Sequence, residues 1–230
     1  MAENMDIREL TPNQVRAVYK QHIMQDFPAD ERKPLTAILH ALTRREYVCY
    51  GAFRQDTLLA YAFFVALKQD EKNAYLFDYL AVCRGMRGQG IGSAFLQGLM
   101  AGPLQSAGCV LLEIDDPDQA DTPEEHALRL RRERFYMRNG LRHTGVSALV
   151  YHVYYRILEL PVSPAHTPQA VAALYQRLYH AIMPEWVSKR MVKILPMENW
   201  QGETIGASAA PKTPHQGTEY PGPAPGESAE

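Results

Sequence analysis

YLFDYLAVCRGMRGQGIGSAFLQGLM, residues 75–100, reads as a strand, a glycine-rich loop and a helix. The strand, Tyr75 to Val82, is apolar and aromatic apart from one acid, Asp78. The loop carries Arg84, Arg87, Gly85, Gly88, Gly90 and Gly92, and the helix opens near Gly90 and stops at the breaker pair Gly102-Pro103. Glycines at such a turn let backbone N–H groups converge and approach a ligand closely. A helix N-terminus adds a dipole that favours an anion, and arginines add charge and fork geometry for phosphate. The stretch therefore predicts a site for a phosphate-bearing cofactor.

Three phosphate loops compete for this sequence. A Walker loop requires a lysine after its last glycine, and none is present. The dinucleotide fingerprint nearly fits Gly88-Gln89-Gly90-Ile91-Gly92-Ser93, with Glu113 about twenty residues on. Against it, the chain from Val82 to Gly88 is too long for a turn that should follow the strand directly, and the preceding segments lack βαβ spacing. The third pattern, Arg-x-x-Gly-x-Gly, is met by Arg87, Gly90 and Gly92. With Leu80-Ala81-Val82 before it and Ile91-Gly92 within it, this resembles the acetyl-CoA pyrophosphate loop of the GNAT superfamily of N-acetyltransferases. The resemblance implies that Leu80, Ala81, Val82, Arg87, Gly88, Gln89, Gly90, Ile91 and Gly92 hold acetyl-CoA as co-substrate.

The whole chain sets the outer bounds. At 230 residues it suits one domain plus extras, and 46% hydrophobic with 22% charged residues is a globular composition. A net charge of −2 argues against a dedicated nucleic-acid binder. Cys49, Cys83 and Cys109 form an odd, unpatterned set beside apolar runs, which predicts reduced thiols, no metal site and a cytoplasmic setting. The longest apolar run, Leu58 to Leu67, is too short to span a bilayer, so no membrane partner is expected.

In chain order, Met5 to Leu10 reads as a first strand, and Thr11-Pro12 opens a helix carrying Val15, Val18, Tyr19 and Ile23. A second helix carries Leu35, Ile38, Leu39 and Leu42, so the two form an arm able to fold over a site; Phe27 between them either anchors the loop or contacts substrate. Glu46 to Phe53, Leu58 to Lys68 and Ala74 to Val82 form an antiparallel meander. Cys109 to Ile114 lies beyond a helix and is expected to run parallel to the Tyr75 strand. Where such strands splay, a pantetheine arm pairs as an added strand. The acidic run Asp115 to Glu125 contains the capping box Thr122-Pro123-Glu124-Glu125; it lacks the alternation of a calcium loop, and reads as helix capping or as a cation-attracting rim. The helix Pro123 to Asn139 should turn Leu128, Phe135 and Tyr136 inward, followed by strands Leu141 to Val146 and Ala148 to Leu158.

The segment Arg134 to Leu141, RFYMRNGL, extends the GNAT resemblance, because in that family a helix tyrosine four residues before the closing glycine faces the cofactor sulfur. That places Tyr136 as the acid, or hydrogen-bond donor, for the departing thiolate. Where many family members carry an Asn after the fifth strand, this chain has Asp115-Asp116-Pro117. Asp78 and Glu113, on the strands flanking the splay, are the candidate bases that would take the amine's proton. The implied fold is an α/β (α+β) GNAT-like mixed, mostly antiparallel twisted sheet flanked by helices, splayed between the fourth and fifth strands. Residues 1–160 form that domain; 161–196 are a helical extension, with helices Pro168 to Met183 and Trp186 to Ile194 packing on the domain or on a partner copy in a homodimer; 197–230 are a disordered Pro/Gly-rich tail.

The implied activity is N-acetylation of a primary amine, with polyamine, amino acid, antibiotic and peptide acceptors all open. The alternatives are a non-catalytic acyl-CoA-binding sensor or subunit and, more distantly, an NAD-binding enzyme.

Overall fold

The computed structural model describes residues 5–69 and 71–195; the tail expected at 197–230 lies outside the described residues. Strand β1 (Asp6–Glu9) leads to helix α1 (Pro12–Val18), whose capping box pairs Thr11 with Gln14. A π-helical turn (Tyr19–Ile23) and a last α-turn, α2 (Met24–Asp26), complete the first half of the arm. A 3-10 turn (Ala29–Glu31) then precedes α3 (Leu35–Thr43). The meander is β2 (Tyr47–Arg54), β3 (Thr57–Leu67) and β4 (Ala74–Val82). After it come α4 (Ile91–Ala101), β5 (Cys109–Asp115), α5 (Pro123–Arg138), β6 (Arg142–Val150) and β7 (Val153–Glu159). The extension adds α6 (Pro168–Ile182), α7 (Glu185–Met191) and β8 (Val192–Ile194).

The strands form one sheet in the order β1-β2-β3-β4-β5-β7-β6-β8, antiparallel except for β4 with β5. Strand β3 is apolar without alternation because both its faces are covered; Leu59 through Val65 are all buried. Helices α1, α3 and α6 cover one face of the sheet through Val15, Ile38, Tyr175 and Leu178. The other face packs against α4 and α5 through Ile91, Phe95, Leu99 and Tyr136.

Two departures from regular pairing create the site. Phe63 opposes Tyr79 while Phe64 opposes Phe77, so Asp78 is the extra residue of a β-bulge, which bends β4. Strands β4 and β5 pair only over Ala74–Leu76 with Cys109–Leu111. Beyond that, β4 from Phe77 and β5 from Leu112 are unpaired with each other, which leaves an opening between parallel strands in the middle of the sheet.

The extension is part of this architecture. Helix α6 packs on β3, β4, β6 and β8 and buries Val171, Leu174, Tyr175, Leu178 and Tyr179. Five such side chains give on the order of 10 kcal/mol of gross apolar stabilisation, set against the entropy of ordering the helix. Three local expectations are corrected. The β6–β7 turn falls at Tyr151-His152, with Tyr151 at φ 55°, and the break expected between Val146 and Ala148 is a register shift inside β6, between His143 and Ser147. Val192–Ile194 leaves the helix as a strand because it pairs with the exposed edge of β6. Leu128 is 47% exposed, since α5 turns Glu133 inward to ion-pair with Arg156 at 3.2 Å, with His143 Nε2 3.3 Å away.

Candidate active site

At the mouth of the opening, the loop before α4 turns on three left-handed glycines: Gly85, Gly88 and Gly90, at φ 81°, 78° and 77°. A Cβ on any of the three would meet nothing within 4 Å, so glycine is required there for backbone conformation and not for close packing. Gly90 is the N-cap of α4, which leaves that helix's first N–H groups pointing out of the loop. Gly92 has a different job: a Cβ there would lie 3.2 Å from Phe135, so it lets α4 approach α5. Gln89 Nε2 donates to the Gly85 carbonyl at 3.3 Å and braces the loop. A cradle of bare backbone at a helix N-terminus fits a pyrophosphate.

Arg87 is held beside the cradle. Its Nε donates to the Val82 carbonyl at 3.2 Å and its Nη2 to Asp26 Oδ1 at 3.0 Å. Asp26 is 3% exposed, and it also accepts from Arg84 Nε at 3.2 Å and the Tyr61 hydroxyl at 3.0 Å. The arm is thus clamped to the loop through a buried carboxylate. Leu80, Ala81 and Val82 pair with β3 on one edge and border the opening on the other.

The two candidate bases meet on one face of the opening. Asp78 accepts from Lys33 Nζ and from the Tyr47 hydroxyl. Glu113 Oε1 accepts from Tyr175 and, at 2.6 Å, from Tyr179, while Oε2 has no partner among the described residues. Burial raises the Glu113 carboxyl above the usual carboxylate range, against the pull of both tyrosine hydroxyls and of Lys33. Burial likewise pushes up the Tyr155 phenol, with the Glu113 and Asp115 carboxylates adding to the shift.

Tyr136 belongs to the opposite face. It is 8% exposed, stacks edge-on against Phe135 at 5.2 Å between centroids, and its hydroxyl has no hydrogen-bond partner among the described residues. Burial is the main cause pushing its phenol up to about 12; Arg132 pulls it down and Asp115 adds to the rise. Candidate acid and candidate bases therefore lie on opposite faces of the sheet.

The remaining candidates sort themselves. The acidic run is spent on ion pairs: Asp115 with Arg132 at 2.8 Å, Asp116 with Arg156 at 2.8 Å, Asp118 with Arg156 at 2.6 Å and Glu125 with Arg129 at 2.6 Å. Phe27 packs edge-on against Tyr79 at 4.9 Å and so anchors the arm's loop. All three cysteines are buried free thiols; burial pushes Cys83 up to about 11 and Cys109 up to about 12, which suppresses thiolate. Cys109, Glu159 and His166 cluster within 4.8 Å of one another, at the end of β5 where β4 is still paired. There Arg142 lies 3.4 Å from Glu159 and His166 Nδ1 2.5 Å from it.

Lys33, Tyr47, Tyr175 and Tyr179 were not legible as site residues. Lys33 sits in a polar, proline-punctuated loop that reads as a solvated linker. The tyrosines at 175 and 179 share one apolar helix face, where the only signal was two hydroxyls, one turn apart, on the side that must be buried.

Comparison with known proteins agrees with this fold. No curated protein matches the sequence. The fold is that of a GNAT-family acetyltransferase from Bacteroides thetaiotaomicron, 15% identical, at a TM-score of 0.60 over 78% of this chain and 98% of that one. A GNAT-family acetyltransferase from Desulfovibrio desulfuricans, 18% identical, aligns at 0.53 over 70% of this chain and 100% of its own. Arabidopsis thaliana NAA60 in complex with acetyl-CoA, 14% identical, aligns at 0.51 over 68% of this chain and 98% of its own. Among the described residues no helix is long and apolar enough to cross a membrane. The model of the acetyltransferase (GNAT) family matches residues 15–129, from the arm through the glycine cradle into α5, and the chain belongs to that family of acetyl-CoA-dependent N-acetyltransferases.

Proposed function

We propose that the chain transfers the acetyl group of acetyl-CoA directly to a primary amine, with Glu113 as base, Asp78 as the anchor for the acceptor's ammonium and Tyr136 as hydrogen-bond donor to the departing sulfur. The observation that carries this is the placement of two acids on one side of the β4–β5 opening and an unpartnered phenol on the other. Acetyl-CoA, when bound, supplies an acyl group activated as a thioester. The chain's part is positioning and proton management. The loop Arg87 to Gly92 grips the pyrophosphate, and the free edge of β4 at Leu80 to Val82 offers N–H donors to a carbonyl oxygen. An amine of pKa about 10 is charged at neutral pH and must lose a proton first. Glu113 Oε2 is free to take it, and a carboxyl raised by burial is a better base than an exposed one. Tyr136 stabilises charge on sulfur without giving up its proton. A phenol near 12 is a weaker acid than a thiol near 8.5, so full transfer would cost about 5 kcal/mol.

The test is thiol release from acetyl-CoA across a panel of polyamines, amino acids, aminoglycosides and peptide amines, with Glu113→Gln as the control. Turnover by the wild type and its loss in the variant are expected; calorimetric binding of acetyl-CoA without turnover of any amine would overturn the enzyme reading. An acyl-CoA sensor is then the reading that remains, and the observation on its side is that Lys33 already occupies Asp78.

A further inference from the structure

The arm delivers an amine into the site. Arg32 (φ −93°, ψ 121°) and Pro34 (φ −55°, ψ 135°) flank Lys33 with extended backbone, so the three residues run like a bound peptide. The Lys33 N–H donates to the Tyr79 hydroxyl oxygen at 2.7 Å, and its carbonyl accepts from the Tyr19 hydroxyl at 2.8 Å. Its Nζ is ion-paired with Asp78, the bulge residue at the edge of the opening. Glu113 lies close enough to act electrostatically on both Lys33 and Asp78. One carboxylate thus pairs with the ammonium and a second acts on it electrostatically, with the Tyr47 hydroxyl bonded to the first and those of Tyr175 and Tyr179 to the second. Burial alone would depress the Lys33 ammonium, but Asp78, Tyr79 and Glu113 together outweigh it and the group is held above the usual lysine range. It is a firmly charged occupant and a poor nucleophile.

We propose that Asp78 and Glu113 form the subsite for the acceptor's alkylammonium group, and that Lys33 fills this subsite as an internal stand-in which the acceptor must displace. The inference rests on the acetyltransferase reading of the opening. It assigns the acceptor a chemistry: a primary ammonium on an alkyl stem, which brings a charge and three N–H donors to carboxylate oxygens. A quaternary ammonium brings the charge without the donors. It also makes Lys33 a specificity-determining residue, because acceptor binding in the wild type includes the cost of moving Nζ off Asp78.

The experiment is calorimetric titration of the full chain with n-butylammonium chloride, and with tetramethylammonium chloride as the cation lacking donors. Lys33→Met keeps the stem length and removes the charge, so butylammonium should bind at least about tenfold tighter than to wild type, the effect of one lost competing ion pair at a partly buried site. Adding Asp78→Asn should abolish the gain, and tetramethylammonium should show none. Melting curves establish that each variant is folded. A second readout needs no variant: in wild type, saturating butylammonium should shift the side-chain 15N resonance of Lys33 alone among the lysines. An unchanged affinity in a folded Lys33→Met, an equal gain for tetramethylammonium, or an unmoved Lys33 resonance each overturns the proposal. Acetyl-CoA titrated into the same samples separates the two readings. Acetyl-CoA binding without the butylammonium gain sinks the subsite alone, and the reverse result sinks the acetyltransferase reading, leaving an ammonium site with no acceptor role.

Discussion

The Tyr179 hydroxyl on α6 donates a 2.6 Å hydrogen bond to Glu113 Oε1 on β5, so a helix beyond the matched family region sets the environment of the candidate base. Tyr175 donates to the same oxygen, and the remaining oxygen, Oε2, accepts no hydrogen bond among the described residues. Both donors favour the carboxylate and oppose the burial that raises Glu113.

Tyr179→Phe removes one of these donors while Val171, Leu174 and Leu178 keep α6 docked. A hydrogen bond to a charged acceptor is worth about 1.5 kcal/mol or more, roughly tenfold in an equilibrium. The Glu113 carboxyl should therefore rise further, and the acid limb of the kcat/KM profile should move to higher pH by about one unit. The deficit is about tenfold on the acid side of that limb and closes as pH rises above it. A profile superimposable on wild type would make Tyr179 a packing residue only.

Glu113→Gln should separate stability from function. The folded carboxyl is raised above its unfolded value, so between the two the native state keeps a proton that the unfolded state has lost. Stability from this group is full below the unfolded pKa and declines as pH rises through the folded one. Gln keeps an acceptor for both tyrosines and has no charge to bury. Its melting temperature should gain on wild type as pH rises from the unfolded carboxyl's value, about 4.3, through the folded one, while turnover falls by about 100-fold or more. A gap that shrinks with rising pH would reverse the assigned direction of the shift.

How far the sequence carries the reader differs between elements. The stretch from Tyr75 to Met100 is legible because its constraints are local: glycines at positive φ, a cap at Gly90 and a stop at Gly102 are visible in residue type. The order of the meander is legible for the same reason. The β6–β7 turn is not, because Tyr151 takes a left-handed conformation without being Gly or Asn, while the real glycine, Gly145, sits inside the strand. Nor is the proposed acceptor side of the site, for which Lys33, Asp78, Glu113 and Tyr179 come from parts of the sequence far apart and joined only by tertiary packing. Asp78 and Glu113 stand out as lone acids in apolar strands; what approaches them is decided by the arm and by α6.

Gly90 tests the cradle. At φ 77°, alanine is strained by about 1–2 kcal/mol, and since a Cβ meets nothing within 4 Å there is no clash to add. Asn tolerates the left-handed region better. Gly90→Ala should lower the melting temperature more than Gly90→Asn. Both should weaken acetyl-CoA in calorimetry, because either side chain would stand where the proposed site takes the pyrophosphate. Full acetyl-CoA affinity in both variants would move the pyrophosphate away from this loop.

Tyr136→Phe separates a hydrogen-bond donor from a proton donor. The hydroxyl has no partner among the described residues, so its removal costs the fold little, less than about 1 kcal/mol, and ring volume is kept. If the hydroxyl acts only on charge that develops at sulfur, acetyl-CoA affinity stays within about threefold and kcat falls about 10- to 1000-fold. The phenol near 12 adds a constraint on shape. A group that does not titrate below about pH 10 cannot produce a limb there, so the variant's profile should be the wild-type profile scaled down by one factor. A wild-type alkaline limb that vanishes in Tyr136→Phe would show a phenol that titrates, and with it a proton donor. An unchanged kcat would return Tyr136 to the core and send the search for the sulfur's partner to other groups lining the opening.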